Sequence, residues 1–356
     1  MYLILNKTLM TNRDDMLKEA LKNIEKEFGK WAIMKLGDNT WNGSINTFHS
    51  WSYILDTILW GWYPEWRIIE IYWPESSWKT TLALHAIAEV QKRWEIAAFI
   101  DAEHALDPAY AQKLWINIDE LIVSQPDYGE QWLQIAEELA KTWAVKLIVV
   151  DSVAALVPRS EVEWDMWDSF MWLQARMMSQ WLRKLTSILS KTWTAIIFIN
   201  QIRLKIWVLF GSPETTTWWN ALKFFASQRI EIRRWEKLEE SKEQIWYVAK
   251  VKVVKNKIAP PFKTWEIVVK FNKWIDSDLD MIEAWILFGN ITRAWAFYTI
   301  GKEKIQWKDR LLGLLQSDEK TRKQLKSDIE NRVKEIRLGK AIIPVETVEE
   351  NLEENE

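Results

Sequence analysis

The sequence contains no cysteine and only three histidines among its 356 residues. The absence of cysteine excludes a disulfide framework and every thiolate metal site. The scattered histidines argue against a metal centre built from imidazoles. No apolar run approaches the ~20 residues that a membrane span requires, and the first residues lack the layout of a signal peptide. We therefore expect a cytoplasmic protein that makes no membrane contact.

Glycine is scarce, with 10 residues, whereas tryptophan occurs 27 times. Ordinary proteins show the reverse, because glycine is among their commonest residues. Trp94, Trp115, Trp143 and Trp193 each end a helix-like segment, and three of them precede an apolar strand. That is the position at which a left-handed residue, usually glycine, closes a helix. Many tryptophans thus stand where the backbone calls for glycine.

We hypothesise that many of these tryptophans are glycine in the natural protein. Some bacterial lineages read the codon UGA as glycine, and translation with a table that reads UGA as tryptophan would produce this pattern. The alternative is a protein that is truly rich in tryptophan. The intact mass, or the codons for residues 73 and 78, would distinguish the two. UGG codons at those positions would contradict the hypothesis.

The chain is long enough to bury a large core, as one major domain with smaller additions. Its net charge of −3 means that any nucleic-acid surface must be local. A helical pattern covers residues 13–30. Strands then alternate with helices to about residue 235, which predicts a mostly parallel sheet with helices on both faces. Strands over 248–254 and 265–271 are expected to extend that sheet as a hairpin.

One segment has the layout of a phosphate-binding loop, since it follows an apolar run and precedes a helical one. It reads Trp73-Pro74-Glu75-Ser76-Ser77-Trp78-Lys79-Thr80. The usual spelling is G-x-x-x-x-G-K-[ST], in which backbone N–H groups, the lysine and the hydroxyl bind phosphate and Mg²⁺. Every element is present except both glycines. An indole at Trp78 would obstruct the pocket that Lys79 serves.

Three further strands are predicted to end in polar residues, where open α/β sheets bind their ligands. Asp151 ends an apolar strand and would complete a Mg²⁺ shell with Thr80. Glu103 is a candidate to orient or deprotonate the attacking water; the alternative is a solvated carboxylate that caps the next helix. Gln201 could sense the γ-phosphate of a nucleotide.

Two irregular segments are candidates for nucleic-acid contact. Residues 202–220 combine basic, small and hydroxyl side chains without a helical or strand period, as suits a nucleic-acid backbone. The alternative is a flexible surface loop. Residues 160–176 carry Met166, Phe170 and Met171, which could insert between bases. The competing interpretation there is a helix core.

The chain resembles the bacterial RecA family of DNA recombinases over roughly residues 15–335. The matching runs are 71–81, 99–108, 149–156, 175–180, 198–203 and 252–259. Where the family has glycine, this chain repeatedly has tryptophan, among other places at Trp73, Trp78, Trp207, Trp218 and Trp219. Real tryptophans at these positions would block the approach of the backbone to phosphate in both segments, 73–80 and 202–220, and would thereby impair ATP binding and DNA binding.

The resemblance implies an α/β fold with a RecA-type P-loop ATPase core, a mostly parallel central sheet, an N-terminal helix and a small C-terminal α/β domain. We expect an N-terminal helix and oligomerisation segment over 1–40 and the ATPase core with DNA-binding loops over 41–276. A small domain over 277–340 and an acidic disordered tail over 341–356 complete the chain.

The resemblance also implies an ATP-dependent filament on single-stranded DNA that pairs homologous double-stranded DNA, exchanges strands and promotes self-cleavage of the SOS repressor. Its catalytic residues would be Glu103, Lys79 and Gln201, with Mg²⁺ at Thr80 and, through water, at Asp151. ATP would be bound by Trp73, Pro74, Glu75, Ser76, Ser77, Trp78, Lys79, Thr80, Thr81, Tyr110, Asp151, and across the subunit interface Lys255 and Lys257. DNA would be bound by Met171, Arg176, Arg203, Ile206, Trp207, Trp218, Trp219 and Asn220.

Two alternatives remain open at this point. A hexameric helicase-like or clock-type ATPase could use the same core. Alternatively, the chain with tryptophan at these positions could be a non-catalytic binding protein that forms filaments. The long segment 202–220, the pair Lys255 and Lys257, and the N-terminal helix favour the recombinase.

Overall fold

A computed structural model describes residues 2–29, 33, 46–73, 78–153, 171–204, 214–216, 221–240, 243–270, 274–294, 297–300, 303–306, 308–338 and 340. The chain divides into two compact units, residues 1–45 and 46–356. The first holds one long helix, α1 (Tyr2–Phe28). It confirms the predicted N-terminal helix, which begins earlier than the pattern at 13–30 indicated. The predicted division at residues 40, 276 and 340 stays a prediction.

The second unit opens with short elements and then alternates strands with helices. The short elements are β1 (Thr47–Phe48), α2 (Tyr53–Ile58) and β2 (Tyr63–Pro64). The alternating part is β3 (Ile68–Trp73), α3 (Trp78–Lys92), β4 (Ile96–Asp101), α4 (Pro108–Lys113), β5 (Ile122–Ser124), α5 (Gly129–Lys141), β6 (Val145–Asp151), α6 (Met171–Thr192) and β7 (Ala195–Leu204).

A second run of strands follows, and small elements end the unit. These are β8 (Glu214–Thr216), α7 (Leu222–Phe225), β9 (Gln228–Glu240), β10 (Glu243–Asn256), β11 (Thr264–Lys270), β12 (Trp274–Ile275), α8 (Ser277–Leu287), β13 (Ile291–Ala294), β14 (Phe297–Ile300), β15 (Glu303–Gln306), α9 (Lys308–Ser317) and α10 (Glu319–Arg337).

Among the described residues, one large sheet has the order β12-β11-β10-β9-β3-β7-β6-β4-β5. The strands from β9 to β5 pair in parallel, as the alternation of strands and helices predicts. Strands β9 to β12 pair antiparallel, which confirms the predicted hairpin at β10 and β11. A separate three-stranded antiparallel sheet, β13-β14-β15, belongs to the small C-terminal α/β part.

The core has two layers, one on each face of the sheet. On β3, Ile69 and Ile71 pack with the buried residues of α3, whereas Ile68 packs with those of α5 and α6. Strands β4, β6 and β7 alternate in the same way, because successive side chains of a strand point to opposite faces. Helices therefore cover both faces, as expected for a parallel sheet.

Two predicted loop boundaries are wrong. Residues 171–176 are helical rather than irregular, because they are the first turns of α6, whose sequence contains no glycine or proline to interrupt it. Residues 202–204 continue β7 and pair antiparallel with β8, inside the segment 202–220 that showed no strand period. Residues 160–170 and the tail 341–356 lie outside the described residues.

Candidate active site

The carboxyl ends of four neighbouring strands form the candidate site. Asp101 at the end of β4 is the register partner of Asp151 at the end of β6. Trp73 at the end of β3 is the register partner of Gln201 in β7. The structure thus brings the polar residues predicted from the sequence to the edge of the sheet that the carboxyl ends of the strands form, where α/β proteins bind ligands.

The first turn of α3 supplies the predicted lysine and hydroxyl. Lys79 is buried, with 6% of its surface exposed, and the Thr80 hydroxyl donates a hydrogen bond to the Asp151 carboxylate. Burial raises the pKa of Asp151 to about 6; the Thr80 hydrogen bond and the Lys79 charge lower it, and Glu103 and Asp101 raise it. An ammonium, a hydroxyl and a carboxylate therefore meet at one helix N-terminus.

Glu103 joins three strand ends through a single oxygen. Its Oε1 accepts a hydrogen bond from Gln201 Nε2 at 3.0 Å and another from Ser152 Oγ at 2.5 Å. Gln201 belongs to β7, and Ser152 directly follows β6. Two of the three predicted catalytic residues, Glu103 and Gln201, are thus in direct contact.

The backbone after β4 is fixed by Asp101, which is 2% exposed. Its two carboxylate oxygens accept from the main-chain N–H groups of Ala105 and Leu106, each at 3.1 Å. Gln125 Nε2 donates to the same carboxylate at 3.0 Å. These three hydrogen bonds hold the turn that carries Glu103.

Asp101 and Ser152 are residues whose roles the sequence reasoning missed. Both lie inside motifs that were recognised: Asp101 is two residues before Glu103, and Ser152 directly follows Asp151. A buried strand that ends in aspartate is a signal for Asp101. The pairing of Ser152 with Glu103 spans 49 positions, so no local pattern could have indicated it.

Tyr110 lies beside the start of α3. Its hydroxyl is 2.5 Å from Thr81 Oγ1, and either oxygen can be the donor. Burial raises the pKa of Tyr110 to about 12, against the opposing effect of the Thr81 hydrogen bond. The hydroxyl therefore stays neutral at physiological pH and ties α4 to the first turn of α3.

Lys255 and Lys257 lie on the other side of β3. Lys255 is in β10, and its Nζ donates to the main-chain oxygens of Lys223 and Phe224 at 2.7 and 3.0 Å. Burial lowers the pKa of Lys255; Lys257 and Arg229 lower it further, and Glu70 raises it. In the sheet order β10 is three strands from β7, so the two lysines are not neighbours of Gln201 in the sheet.

Several predicted residues have no described side chain. Trp73 lies in β3, Trp78 begins α3, Met171 and Arg176 lie in α6, and Arg203 lies in β7. The remaining predicted positions lie outside the described residues: Pro74, Glu75, Ser76, Ser77, Ile206, Trp207, Trp218, Trp219 and Asn220.

The groups present fit a magnesium nucleotide. Mg²⁺ prefers oxygen ligands, and proteins usually bind it through one or two carboxylates together with substrate phosphates. Thr80 and Asp151 provide such oxygens side by side. The buried Lys79 at the N-terminus of α3 suits a phosphate, because that end of a helix presents free N–H groups and positive potential.

Comparisons with known proteins identify the architecture. A family model described as the RecA N-terminal domain matches residues 15–276. The chain belongs to the RecA family. It is 54% identical over 294 residues to "Protein RecA" of Leptospira meyeri, which covers 82% of this chain and 76% of the relative.

Other RecA proteins match at similar levels. That of Bacillus subtilis (strain 168) is 53% identical over 297 residues, covering 83% of this chain and 85% of the relative. That of Macrococcus caseolyticus is 49% identical over 322 residues, covering 90% and 91%. As a member of the RecA family, the chain is a DNA recombinase and a DNA-dependent ATPase of recombination, repair and the SOS response. Membership of this family implies nucleotide binding, DNA binding and assembly into filaments. No helix among its described residues is both long and apolar enough to cross a membrane.

Proposed function

We propose that the nucleotide is ATP with Mg²⁺, and that Glu103 is the general base of hydrolysis. Lys79 binds phosphate, Thr80 supplies a hydroxyl to the metal, and Asp151 binds the metal through water. Residues 73–81 surround the phosphates, and Tyr110 stacks on the adenine. The bound metal neutralises phosphate charge.

The observation that supports this assignment is the junction at Glu103. A general base must lie within hydrogen-bond reach of the proton that it removes. Ser152 Oγ and Gln201 Nε2 fix the Oε1 oxygen of Glu103 at 2.5 and 3.0 Å. Its other oxygen can accept the proton of a water molecule. Loss of that water or of the γ-phosphate would alter the position of Glu103 and, through their hydrogen bond, the position of Gln201.

Gln201 is also the proposed link to DNA. Strand β7 runs without interruption from Gln201 to Leu204 and carries Arg203, so a displacement of Gln201 is passed to the segment that follows it. There we propose that Ile206, with Met171, separates bases of single-stranded DNA. Arg176, Arg203, Asn220 and the backbone at 207, 218 and 219 hold its phosphates, and the filament pairs with double-stranded DNA.

The filament completes the site in this proposal. Lys255 and Lys257 supply cations to the ATP of a neighbouring subunit, and the N-terminal helix docks on that neighbour. The filament promotes self-cleavage of the SOS repressor in the cytoplasm.

The test is turnover by Glu103→Gln in the chain with glycine at positions 73, 78, 207, 218 and 219, named the glycine-restored chain. The substitution removes the base but keeps the charges that hold ATP. We expect ATP binding and filament assembly to persist, while DNA-stimulated hydrolysis falls by about 100-fold or more.

Glu95→Gln is the matched control. Glu95 directly precedes the first residue of β4, whereas Glu103 follows the last, and Glu95 pairs with Arg93 at 3.1 Å. The Glu95→Gln variant should hydrolyse ATP at the rate of the glycine-restored chain. Full turnover by Glu103→Gln would assign Glu103 a structural role instead.

A further inference from the structure

A fully buried carboxylate lies in strand β3, which pairs with β7 on one side and with β9 on the other. Glu70 of β3 is 0% exposed and precedes Trp73 by three residues. Its Oε1 accepts a hydrogen bond from Asn200 Nδ2 at 2.9 Å, and its Oε2 accepts one from Arg229 Nε at 2.5 Å. Each carboxylate oxygen therefore has a donor on a different neighbouring strand.

Stability alone is a weak reason for such a group. Removing an ion pair from water costs several kcal/mol per ion, and an apolar replacement of similar volume is often neutral or stabilising. The neighbouring positions of β3, Ile69 and Ile71, are buried and apolar. A charged residue between them is better explained by what it holds in place.

Asn200 is the group that Glu70 orients. The Asn200 Nδ2 group donates to Glu70, so Oδ1 faces the other way and accepts from the Gln201 main-chain N–H at 2.8 Å. A carboxylate can only accept hydrogen bonds, so the amide cannot flip without placing oxygen against oxygen. Gln201 in turn donates its side-chain amide to Glu103 at 3.0 Å. The contacts form one chain from Glu70 to the proposed base.

The Glu70 carboxylate also holds Arg229 on the opposite neighbouring strand, β9. Arg229 of β9 is the register partner of Glu70, and Lys255 of β10 is the register partner of Arg229. The Arg229 guanidinium also lies over the Tyr72 ring, with its carbon 4.6 Å from the ring centre. Polar side chains therefore form a row across β7, β3, β9 and β10.

We infer that Glu70 is a positioning residue: by fixing Asn200, it holds Gln201 against Glu103 and so couples nucleotide binding to DNA binding. The inference rests on the proposed role of Gln201 as the link between ATP and DNA. Glu70 touches neither ligand in this scheme and acts on Gln201 through Asn200.

The test measures DNA affinity of the glycine-restored chain with a non-hydrolysable ATP analogue and with ADP, and takes the ratio of the two. In Glu70→Gln the glutamine side chain has one acceptor oxygen, so it cannot accept from both Asn200 and Arg229. With that oxygen on the Arg229 guanidinium, its NH₂ group faces Asn200, and the orientation of Asn200 is lost. We expect the ratio to fall by about tenfold, the size of a typical coupling between sites. Affinity for the ATP analogue without DNA should remain the same. A loss of folding would instead lower both affinities together.

Two other variants make the result decisive. Glu137→Gln removes a carboxylate that pairs with Lys141 and Lys184 at 2.6 and 2.7 Å outside this row, and should keep the full ratio. Glu70→Asp keeps the charge but withdraws it from Asn200, so an intermediate ratio is expected; it decides the matter if Glu70→Gln does not fold. An unchanged ratio in a folded Glu70 variant would overturn the inference. A ratio of one in the glycine-restored chain itself would instead overturn the proposed role of Gln201.

Discussion

At the scale of single residues, several tryptophans have a backbone conformation that suits glycine. Within the described part of the chain, seven tryptophans have φ between 53° and 80°, namely Trp51, Trp60, Trp66, Trp94, Trp115, Trp143 and Trp193. A residue with a Cβ is strained by about 1–2 kcal/mol in this left-handed region. The four helix-ending tryptophans chosen from the sequence are all among them, which confirms the predicted backbone and supports the hypothesis of glycine in the natural protein.

Trp143 permits a direct test of that strain. It follows α5 with φ 64° and has a 60% exposed side chain, so its indole has little packing to lose. Trp143→Gly should raise the free energy of unfolding by about 1 kcal/mol relative to Trp143→Ala, since both remove the indole but only glycine removes the Cβ. Urea denaturation of the two variants checks this. Equal stability would show that the backbone at 143 carries no strain.

At the scale of elements, local sequence patterns predicted those strands and helix ends that local interactions determine. The strands β4, β6 and β7 lie where apolar runs follow the helix-ending tryptophans. The ladder between β7 and β8 was missed because its partners, such as Ile202 and Thr216, are joined only by the fold. The start of α6 follows the helical alternative for residues 160–176, which the sequence left open because Met171 suits both a base-inserting loop and a helix.

The two glycine-type loops should be separable by stepwise restoration. Glycine at 73 and 78 alone should recover ATP binding, because backbone N–H groups can then approach the phosphates beside Lys79. DNA-stimulated turnover should return only when 207, 218 and 219 are also glycine, with the steep loss on added salt expected of phosphate contacts.

Nucleotide titration and ATPase assays with and without single-stranded DNA, on the literal chain and on both restored chains, provide the measurement. Tight ATP binding by the literal chain would contradict the prediction at its first step. DNA stimulation with only two glycines restored would show that the tryptophans at 207, 218 and 219 do not obstruct DNA.

At the scale of the whole molecule, one buried aspartate connects distant parts of the second unit. Asp280 of α8 accepts from Ser52 Oγ at 2.7 Å, and from the main-chain N–H groups of Tyr53 and, at 3.3 Å, Ile54. It therefore caps the N-terminus of α2 across 228 positions of sequence. Helix α8 is therefore held to α2 by a polar contact as well as by apolar residues of the shared core.

Asp280 should make stability depend on pH. Burial raises its pKa from 3.8 to about 7, despite the opposing hydrogen bonds. The folded state thus binds a proton more tightly than the unfolded chain, so the contribution of Asp280 is complete below pH 4 and is lost as pH rises to about 7. Urea midpoints at pH 5, 6, 7 and 8 should fall accordingly.

The control for this effect is Asp280→Asn, which cannot titrate. Asp56, which raises the pKa of Asp280 through its charge, remains in the variant together with its partner His49. The difference between the two pH profiles therefore isolates Asp280. Parallel profiles would show that Asp280 keeps the same charge throughout this range.

The sequence alone was sufficient for the fold class, for the strand β3 and helix α3 on either side of residues 74–77, and for the polar residues at or just after the ends of β4 and β6 and within β7, because periodicity and strand-to-helix junctions are local properties. It also indicated the left-handed positions, since helix ends are local too. The contacts of Glu103 with Ser152, of Glu70 with Asn200 and Arg229, and of Asp280 with α2 required the folded structure. Their partners lie between 49 and 228 positions apart, and only the register of the sheet and the packing of α8 bring them within hydrogen-bond distance.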